Sequence, residues 1–337
     1  MAGQPRILVV KLSAIGDCLH ATPAVRALRQ SMPEAHIGWA VHQHCSSVIN
    51  NNEDISKIHR WDRKRMLEEF FTLRKSLRRE NYSIAIDLQG LFKSGLITKI
   101  SGAKRRIGRA EAREFAGSFY TEKAPSQAGK HIIDQYLGIV ERAGAKWESV
   151  PNMVFPVTTR DQAYARVLLT EPPLDEANRP IVVLNPSAGK VNKQWPPEAF
   201  ARLADSLIAE LDALCLVTGA PNDGPLGEAI VAAARRSPNL HNIVGRTSLH
   251  QLAGLLSQCN LFVGGDTGPM HIAQAVGCPV LALFGPTDPK RNGPREPQHR
   301  VIYKDDPEKE VSMHKITADE VFHEAKDMLK GTSSSVS

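Results

Sequence analysis

Short apolar runs bounded by turn residues alternate along this chain with segments whose apolar positions recur at helical spacing. In the first half, runs at Arg6–Lys11, His36–Val41, Ser83–Leu88 and Arg105–Gly108 predict strands. Segments around Pro23–Arg29, Lys64–Glu80 and Ile132–Ala143 predict helices. In the second half, strands are expected at Ile181–Asn185, Ala213–Thr218, Leu240–Val244, Leu261–Gly264 and Val280–Phe284. The matching helices are Pro197–Leu211, Leu226–Arg235, Leu249–Leu256 and Pro269–Val276. A last helix fits Thr317–Leu329, with Val321, Phe322, Ala325, Met328 and Leu329 on one face and Asp319, Glu320 and Lys326 outside. Alternating strands and helices predict an α/β fold with parallel sheets covered on both faces.

At 337 residues the chain exceeds one ordinary core, so two domains are expected. Pro156, Pro172, Pro173 and Pro180 cluster with charged residues and mark the boundary region Phe155–Pro180. The expected division is 1–165 and 166–330, followed by a disordered tail, GTSSSVS, over 331–337.

Composition narrows the classes without choosing one. The net charge of +6 fits an anionic substrate, a membrane surface or nucleic acid. Five scattered cysteines without a C-x-x-C pair argue against a disulfide framework or a zinc site. The N-terminal apolar run Ile7–Val10 is too short for a signal peptide, and no stretch reaches the roughly 18 apolar residues of a membrane span. A cytoplasmic protein with at most peripheral membrane contact is expected.

Ligands of such sheets bind beyond the carboxyl ends of strands, so the loops there hold the candidate chemistry. In NLFVGGDTGPMH, a strand end runs through Gly264 and Gly265 into a helix opened by Gly268 and Pro269. A helix start presents free N–H groups and partial positive charge, which suits phosphate, and Asp266 and His271 beside it can hold hydroxyls. A capped turn without any ligand explains the same residues. After the first strand, KLSAIGD ends in Asp17, which serves equally as a helix cap or as a base. After Ile181–Leu184, Ser187 offers a hydroxyl and Lys193 a compact positive charge for a phosphate, with Lys190 competing for that role. After Leu214–Thr218, Asp223 can accept from a ribose or base, or simply close a turn.

Taken in order, these loops resemble glycosyltransferase family 9, the heptosyltransferases of lipopolysaccharide core assembly. KLSAIGDCLHATPAVRAL is similar to the family's opening segment, IDLQGLFKSG to its acceptor-domain segment, and DTGPMH and FGPTDP are the most specific matches. AREFAGSFY is closest to the type I enzymes, which add the first heptose to Kdo. The resemblance implies a GT-B fold, with two Rossmann-like domains facing across a cleft and the terminal helix packing back on the N-terminal half. It implies inverting transfer of heptose from ADP-heptose to the Kdo of lipid A, with closure of the lobes on the donor. On its terms Asp17 is the general base and Lys193 the catalytic lysine on the donor phosphate. Ser187, Asp223, Asp266, Thr267, Gly268 and His271 line the donor, His271 without an assigned role. Gln89, Lys93 and Arg113 face the acceptor. Asp223 stands where the type I pattern has a longer Glu, and Ala188 where it has a second hydroxyl, which leaves the donor's details open.

Transfer of this kind builds negative charge on the departing phosphate, which Lys193 and the helix start at Gly268 can stabilise. With no D-x-D or histidine cluster in the sequence, neither an essential metal nor another cofactor is expected. The basic residues Arg60, Arg63, Lys64, Arg65, Lys104, Arg105, Arg106, Arg109 and Arg113 fit an anionic acceptor or anionic membrane lipid as a group, although each alone fits a solvated helix face. A dinucleotide-dependent oxidoreductase lacks its G-x-G-x-x-G here. Nucleic-acid binding is not expected, because aromatics are 6% of the chain and are not interleaved with the basic residues.

Overall fold

Each half of the chain is built on a six-stranded, all-parallel sheet, and the two sheets share one winding. The computed structural model describes residues 4–62, 66–170, 179–235, 238–306, 308 and 312–333. Two units result, 1–156 and 157–337. The boundary therefore lies at Pro156, about ten residues before the expected 165.

The first unit runs β1 (Arg6–Val10), α1 (Ile15–Ser31), β2 (His36–His42), β3 (Lys57–Trp61), α2 (Met66–Arg79), β4 (Ile84–Asp87), α3 (Phe92–Ser101), β5 (Arg105–Arg109), β6 (Glu122–Ala124) and α4 (Ile132–Glu141). Its strand order is β3-β2-β1-β4-β5-β6. The central strand β1 pairs Val9 with Trp39 of β2 and Val10 with Asp87 of β4. It is an unbroken apolar run because both of its faces are covered by helices.

The second unit runs α5 (Thr159–Thr170), β7 (Ile181–Asn185), α6 (Pro197–Leu211), β8 (Leu214–Val217), α7 (Gly224–Ala233), β9 (Leu240–Asn242), α8 (Leu249–Leu256), β10 (Leu261–Gly265), α9 (Gly268–Ala275), β11 (Val280–Phe284), α10 (Pro289–Asn292), β12 (Arg300–Tyr303) and α11 (Ala318–Ser333). The order β12-β11-β10-β7-β8-β9 repeats the first winding, with β7 in the place of β1 and β10 in the place of β4. The winding reverses direction between those central strands, which opens a crevice at their carboxyl ends.

The structure departs from the sequence expectation in instructive places. The strands not anticipated, β3, β6 and β12, all lie at sheet edges. An edge strand has one neighbour and tolerates polar residues, so KIHRW, EKA and RVIY carry no clean apolar run. Helix α1 starts at Ile15 rather than near Pro23 and keeps that proline inside. Pro23 cannot donate to the carbonyl of Leu19, and the Thr22 hydroxyl donates there instead at 2.7 Å. The expected connection through Phe155–Pro180 contains α5, which packs along α8. Helix α11 buries Val321, Phe322, Ala325, Met328 and Leu329 in the second unit's own core with Leu203 and Leu207 of α6. This corrects the expectation that its apolar face packs on the N-terminal half. The helix also continues through Ser333, so Gly331–Ser333 are not part of a disordered tail. Residues 334–337 lie outside the described residues, as do Arg63, Lys64 and Arg65 of the basic group.

Candidate active site

In the first unit the two loops at the crevice meet. Asp87, fully buried at the end of β4, accepts from the backbone N–H groups of Gln89 and Gly90 at 2.8 and 2.9 Å and from the Tyr120 hydroxyl at 2.7 Å. Burial pushes its carboxyl above the usual range, and these hydrogen bonds offset only part of that. The turn so fixed presents Gln89, whose Oε1 accepts from the backbone N–H of Leu12 and Ser13 at 3.2 and 3.4 Å. Gln89 thus ties the loop after β4 to the loop after β1.

Asp17 sits in the first turn of α1, and its Oδ2 accepts from the Ala14 N–H at 3.2 Å. The capping geometry weighed from the sequence is therefore present, with Asp17 inside the helix and reaching back to its start. The carboxylate is nonetheless accessible, with 39% of the side chain exposed. Lys11 lies beneath it, 4% exposed, with Nζ 3.7 Å from Oδ1 of Asp17 and 5.3 Å from the ring centre of Tyr136. Burial works against the Lys11 ammonium, but Tyr136 and Asp17 outweigh it and raise its pKa. Of the other expected first-unit residues, Lys93 in α3 and Arg113 have exposed side chains. Arg113 donates its backbone N–H to the Gly90 carbonyl at 2.9 Å, so it borders the same turn.

The second unit brings together the loops after β7, β10 and β11. Asp266 follows β10 directly and is largely buried, 11% exposed. Lys193 donates to its Oδ2 at 2.9 Å, and the Thr287 hydroxyl to the same oxygen at 3.3 Å. Asn292 donates to Oδ1 at 2.6 Å, with Nε2 of His271 3.5 Å from that oxygen. Nδ1 of His271 is 3.0 Å from Oε1 of Gln274. Burial alone would raise the Asp266 carboxyl, yet the hydrogen bonds and charges of His271 and Lys193 outweigh it and hold the group well below the usual carboxylate range. Thr267 stands at the N-cap position of α9, its hydroxyl donating to the Gly265 carbonyl at 3.3 Å, and the helix opens on Gly268 and Pro269 beside this cluster. Gly265 lets the chain at Lys193 pass closely, since a Cβ there would stand 3.2 Å from the Lys193 carbonyl oxygen.

Next to this cluster, Ser187 donates to Oδ2 of Asp223 at 2.6 Å, and the same oxygen accepts from the Ala220 N–H at 2.8 Å. A Cβ at Gly219 would stand 2.9 Å from Cβ of Asp223 and 3.0 Å from Oγ of Ser187, so this pair needs glycine there. Lys190, by contrast, is exposed.

The donor-side residues expected from the sequence therefore gather along one crevice of the second sheet, and Asp17 and Gln89 along the corresponding crevice of the first. Sequence reasoning missed Thr287 and Asn292 as partners of Asp266, and Lys11 with Tyr136 behind Asp17. The signal for the first two was the neighbouring GPTDP stretch, because β10 and β11 pair in parallel and bring their following loops together. Nothing in the spacing pointed to Tyr136, which lies 119 residues after Asp17 in the chain. Among the described residues no group of three or more His, Cys, Asp or Glu is placed to hold a metal ion. No helix among them is long and apolar enough to cross a membrane.

Residues 70–320 match the model of glycosyltransferase family 9 (heptosyltransferase). The chain is 29% identical over 297 residues to lipopolysaccharide heptosyltransferase 1 of Escherichia coli K12, covering 84% of this chain and 89% of that protein. Among solved structures, a family 9 glycosyl transferase from Veillonella parvula aligns with a TM-score of 0.86 at 23% identity, over 98% of this chain and 99% of the other. The E. coli ADP-heptose lipopolysaccharide heptosyltransferase II aligns with a TM-score of 0.82 at 24% identity, over 97% and 99%.

Proposed function

The chain belongs to glycosyltransferase family 9, and from that membership we propose that it moves heptose from ADP-heptose to the Kdo of the lipopolysaccharide inner core, with inversion at the anomeric carbon. The observation that carries the reading is the pair of lysine–aspartate centres, one at the crevice of each sheet, with the carboxylate the more accessible member at one and the lysine at the other. The names of the relatives, heptosyltransferases of lipopolysaccharide and one of them named for ADP-heptose, support this substrate class.

In this mechanism Asp17 takes the proton from the acceptor hydroxyl as that oxygen attacks the anomeric carbon. The bond to the diphosphate breaks on the opposite side, and negative charge gathers on the leaving group. Lys193 and the N–H groups at the start of α9, near Thr267 and Gly268, stabilise that charge. Lys193 can turn toward the diphosphate because Asn292, Thr287 and His271 still hold Asp266. Asp266 and His271 then border the sugar, and the Ser187–Asp223 pair borders the nucleoside. Gln89, Lys93 and Arg113 hold the anionic acceptor. No metal is required, because the lysine and the helix start together take the role of a Lewis acid. Turnover should persist in EDTA, and complete, metal-reversible loss would overturn that part. The protein works at the cytoplasmic face of a membrane that carries the acceptor, and nucleic acid plays no part.

The test is mass spectrometry of products from ADP-heptose with Kdo-lipid A, run beside UDP-sugars and beside acceptors already carrying one or two heptoses. A single added heptose on Kdo-lipid A supports the reading. Transfer only to heptosylated acceptors would move the enzyme to a later core step, and transfer only from another nucleotide sugar would overturn the donor.

A further inference from the structure

Phe115 is the most exposed large apolar residue described, at 88%, and it has a left-handed backbone with φ of 60°. A bulky side chain rarely adopts that conformation, because its Cβ crowds the following carbonyl. The residue gains no packing in return. Glu114 before it is also left-handed, at φ 53°, and its carboxylate accepts from the backbone N–H of Phe92 at 3.3 Å. This contact ties the Phe115 turn to the start of α3, where Phe92 is itself about half exposed and packs edge-on against Phe119 at 5.4 Å.

The surroundings are cationic. Lys93, Lys99, Arg113 and Lys123 have exposed side chains and make no ion pair among the described residues. Lys99 lies two turns along α3 on the stripe begun by Phe92, and the Lys123 chain lies over Gly117 in the turn after Phe115. Acidic side chains nearby are fewer: Glu111 and Glu114 in this segment, and Glu122, which pairs with Arg105. An apolar tip with a net positive rim fits a bilayer rich in anionic lipid, which accepts aromatic side chains at its boundary and attracts lysine and arginine.

The topology gives the patch its orientation. Phe92 follows β4, Phe115 follows β5 and Asp17 follows β1, all parallel strands of one sheet, so the three lie beyond the same carboxyl edge. We propose that Phe115 and Phe92, rimmed by Lys93, Lys99, Arg113 and Lys123, form a wedge that docks the first unit on an anionic membrane surface with the Asp17 edge toward the lipid. The wedge gives a membrane-held acceptor a short path to that edge. In this it rests on the acceptor reading above, but vesicle binding is measured without turnover, so either can fail alone.

The experiment is cosedimentation of the full chain with phosphatidylcholine vesicles, with and without about 30 mol% phosphatidylglycerol as the anionic lipid. Binding is expected only to the anionic vesicles. Phe115→Asn keeps a residue that tolerates the left-handed backbone and should bind about three- to tenfold more weakly. Lys123→Glu should weaken binding by at least about fivefold, and more at low salt. Thermal stability of Phe115→Asn should equal or slightly exceed the parent's, because asparagine tolerates the left-handed backbone, and its turnover on a water-soluble acceptor fragment should match the parent. Absence of binding by the parent, equal binding to neutral vesicles, or undiminished binding by Phe115→Asn overturns the proposal. So does a dimer of the parent that Phe115→Asn dissolves, because the tip would then be a protein contact.

Discussion

The two crevices use the same pair of residue types with their burial exchanged. In the first unit a buried Lys11 backs an accessible Asp17, and in the second a largely buried Asp266 backs the more accessible Lys193. The separations follow the same logic. The Asp266–Lys193 contact is a 2.9 Å charge-assisted hydrogen bond inside a four-membered set of partners, whereas Asp17 and Lys11 stand 3.7 Å apart. A group that must meet substrate needs solvent access, and its partner is the one that can be buried and fixed. One winding thus supplies a carboxylate at one crevice and a cation at the other, which is what proton removal and leaving-group stabilisation separately require.

The sharpest way to break this comparison is Asp17→Asn. The amide oxygen can still accept from the Ala14 N–H, so thermal stability should stay close to the parent. Turnover should fall about 10²- to 10⁴-fold, the range for loss of a general base. Steady-state kinetics and a melting curve together decide it, since near-parental kcat would leave Asp17 only its capping role.

Lys193→Ala tests the other crevice. Removing one charge-assisted hydrogen bond to the leaving diphosphate should lower kcat/KM by about 10- to 100-fold and weaken ADP binding in calorimetry. Lys190→Ala, at an exposed position three residues earlier, is the control and should change neither. Small, equal effects of both substitutions would remove Lys193 from the phosphate.

Acid should loosen the first unit through a buried histidine. His59 in β3 is buried between the Ser76 and Tyr82 hydroxyls, 2.8 and 2.7 Å away. Burial brings its pKa down to about 4. The unfolded chain takes up that proton near pH 6.5, so stability present above 6.5 is lost as pH falls toward 4, by up to about 3 kcal/mol. Asp266 behaves oppositely in range. Its depressed carboxyl contributes stability that is full above the ordinary carboxylate value near 4 and is lost only as pH falls through its own lower value. Hydrogen exchange followed unit by unit should therefore show the first unit loosening between pH 6.5 and 4, with His59→Gln flattening the response. The stability gap between parent and Asp266→Asn should hold constant from about pH 5 to 8 and narrow below about 4. A gap that closes near neutrality would show that Asp266 is not held as an ion.

The smallest expected effect concerns Asn292. Asn292→Ala removes one of four partners of Asp266 and should raise the donor KM severalfold, about 2- to 10-fold, while leaving kcat within about threefold. A kcat loss as large as that of Lys193→Ala would make Asn292 part of the chemistry rather than a support for Asp266.

The interior strands were legible in the amino-acid order, because a strand covered on both faces is apolar along its buried length, as in Ile7–Val10, Ile181–Leu184 and Val280–Phe284. That order also determined the loops that carry the candidate chemistry, since glycine, proline and short polar residues after a strand have local conformational reasons to be there. It left three of the four edge strands unread, because β3, β6 and β12 mix polar and charged residues with their apolar ones. The period placed α11, and only the family resemblance put it on the N-terminal half: periodicity reports that a face is buried, never against what. Only the tertiary structure decided which members of the lysine–aspartate pairs are exposed. Tyr136 reaches Lys11 because α4 packs along α1, and Thr287 and Asn292 reach Asp266 because β10 and β11 pair in parallel, so burial is a property of that assembly rather than of any local segment.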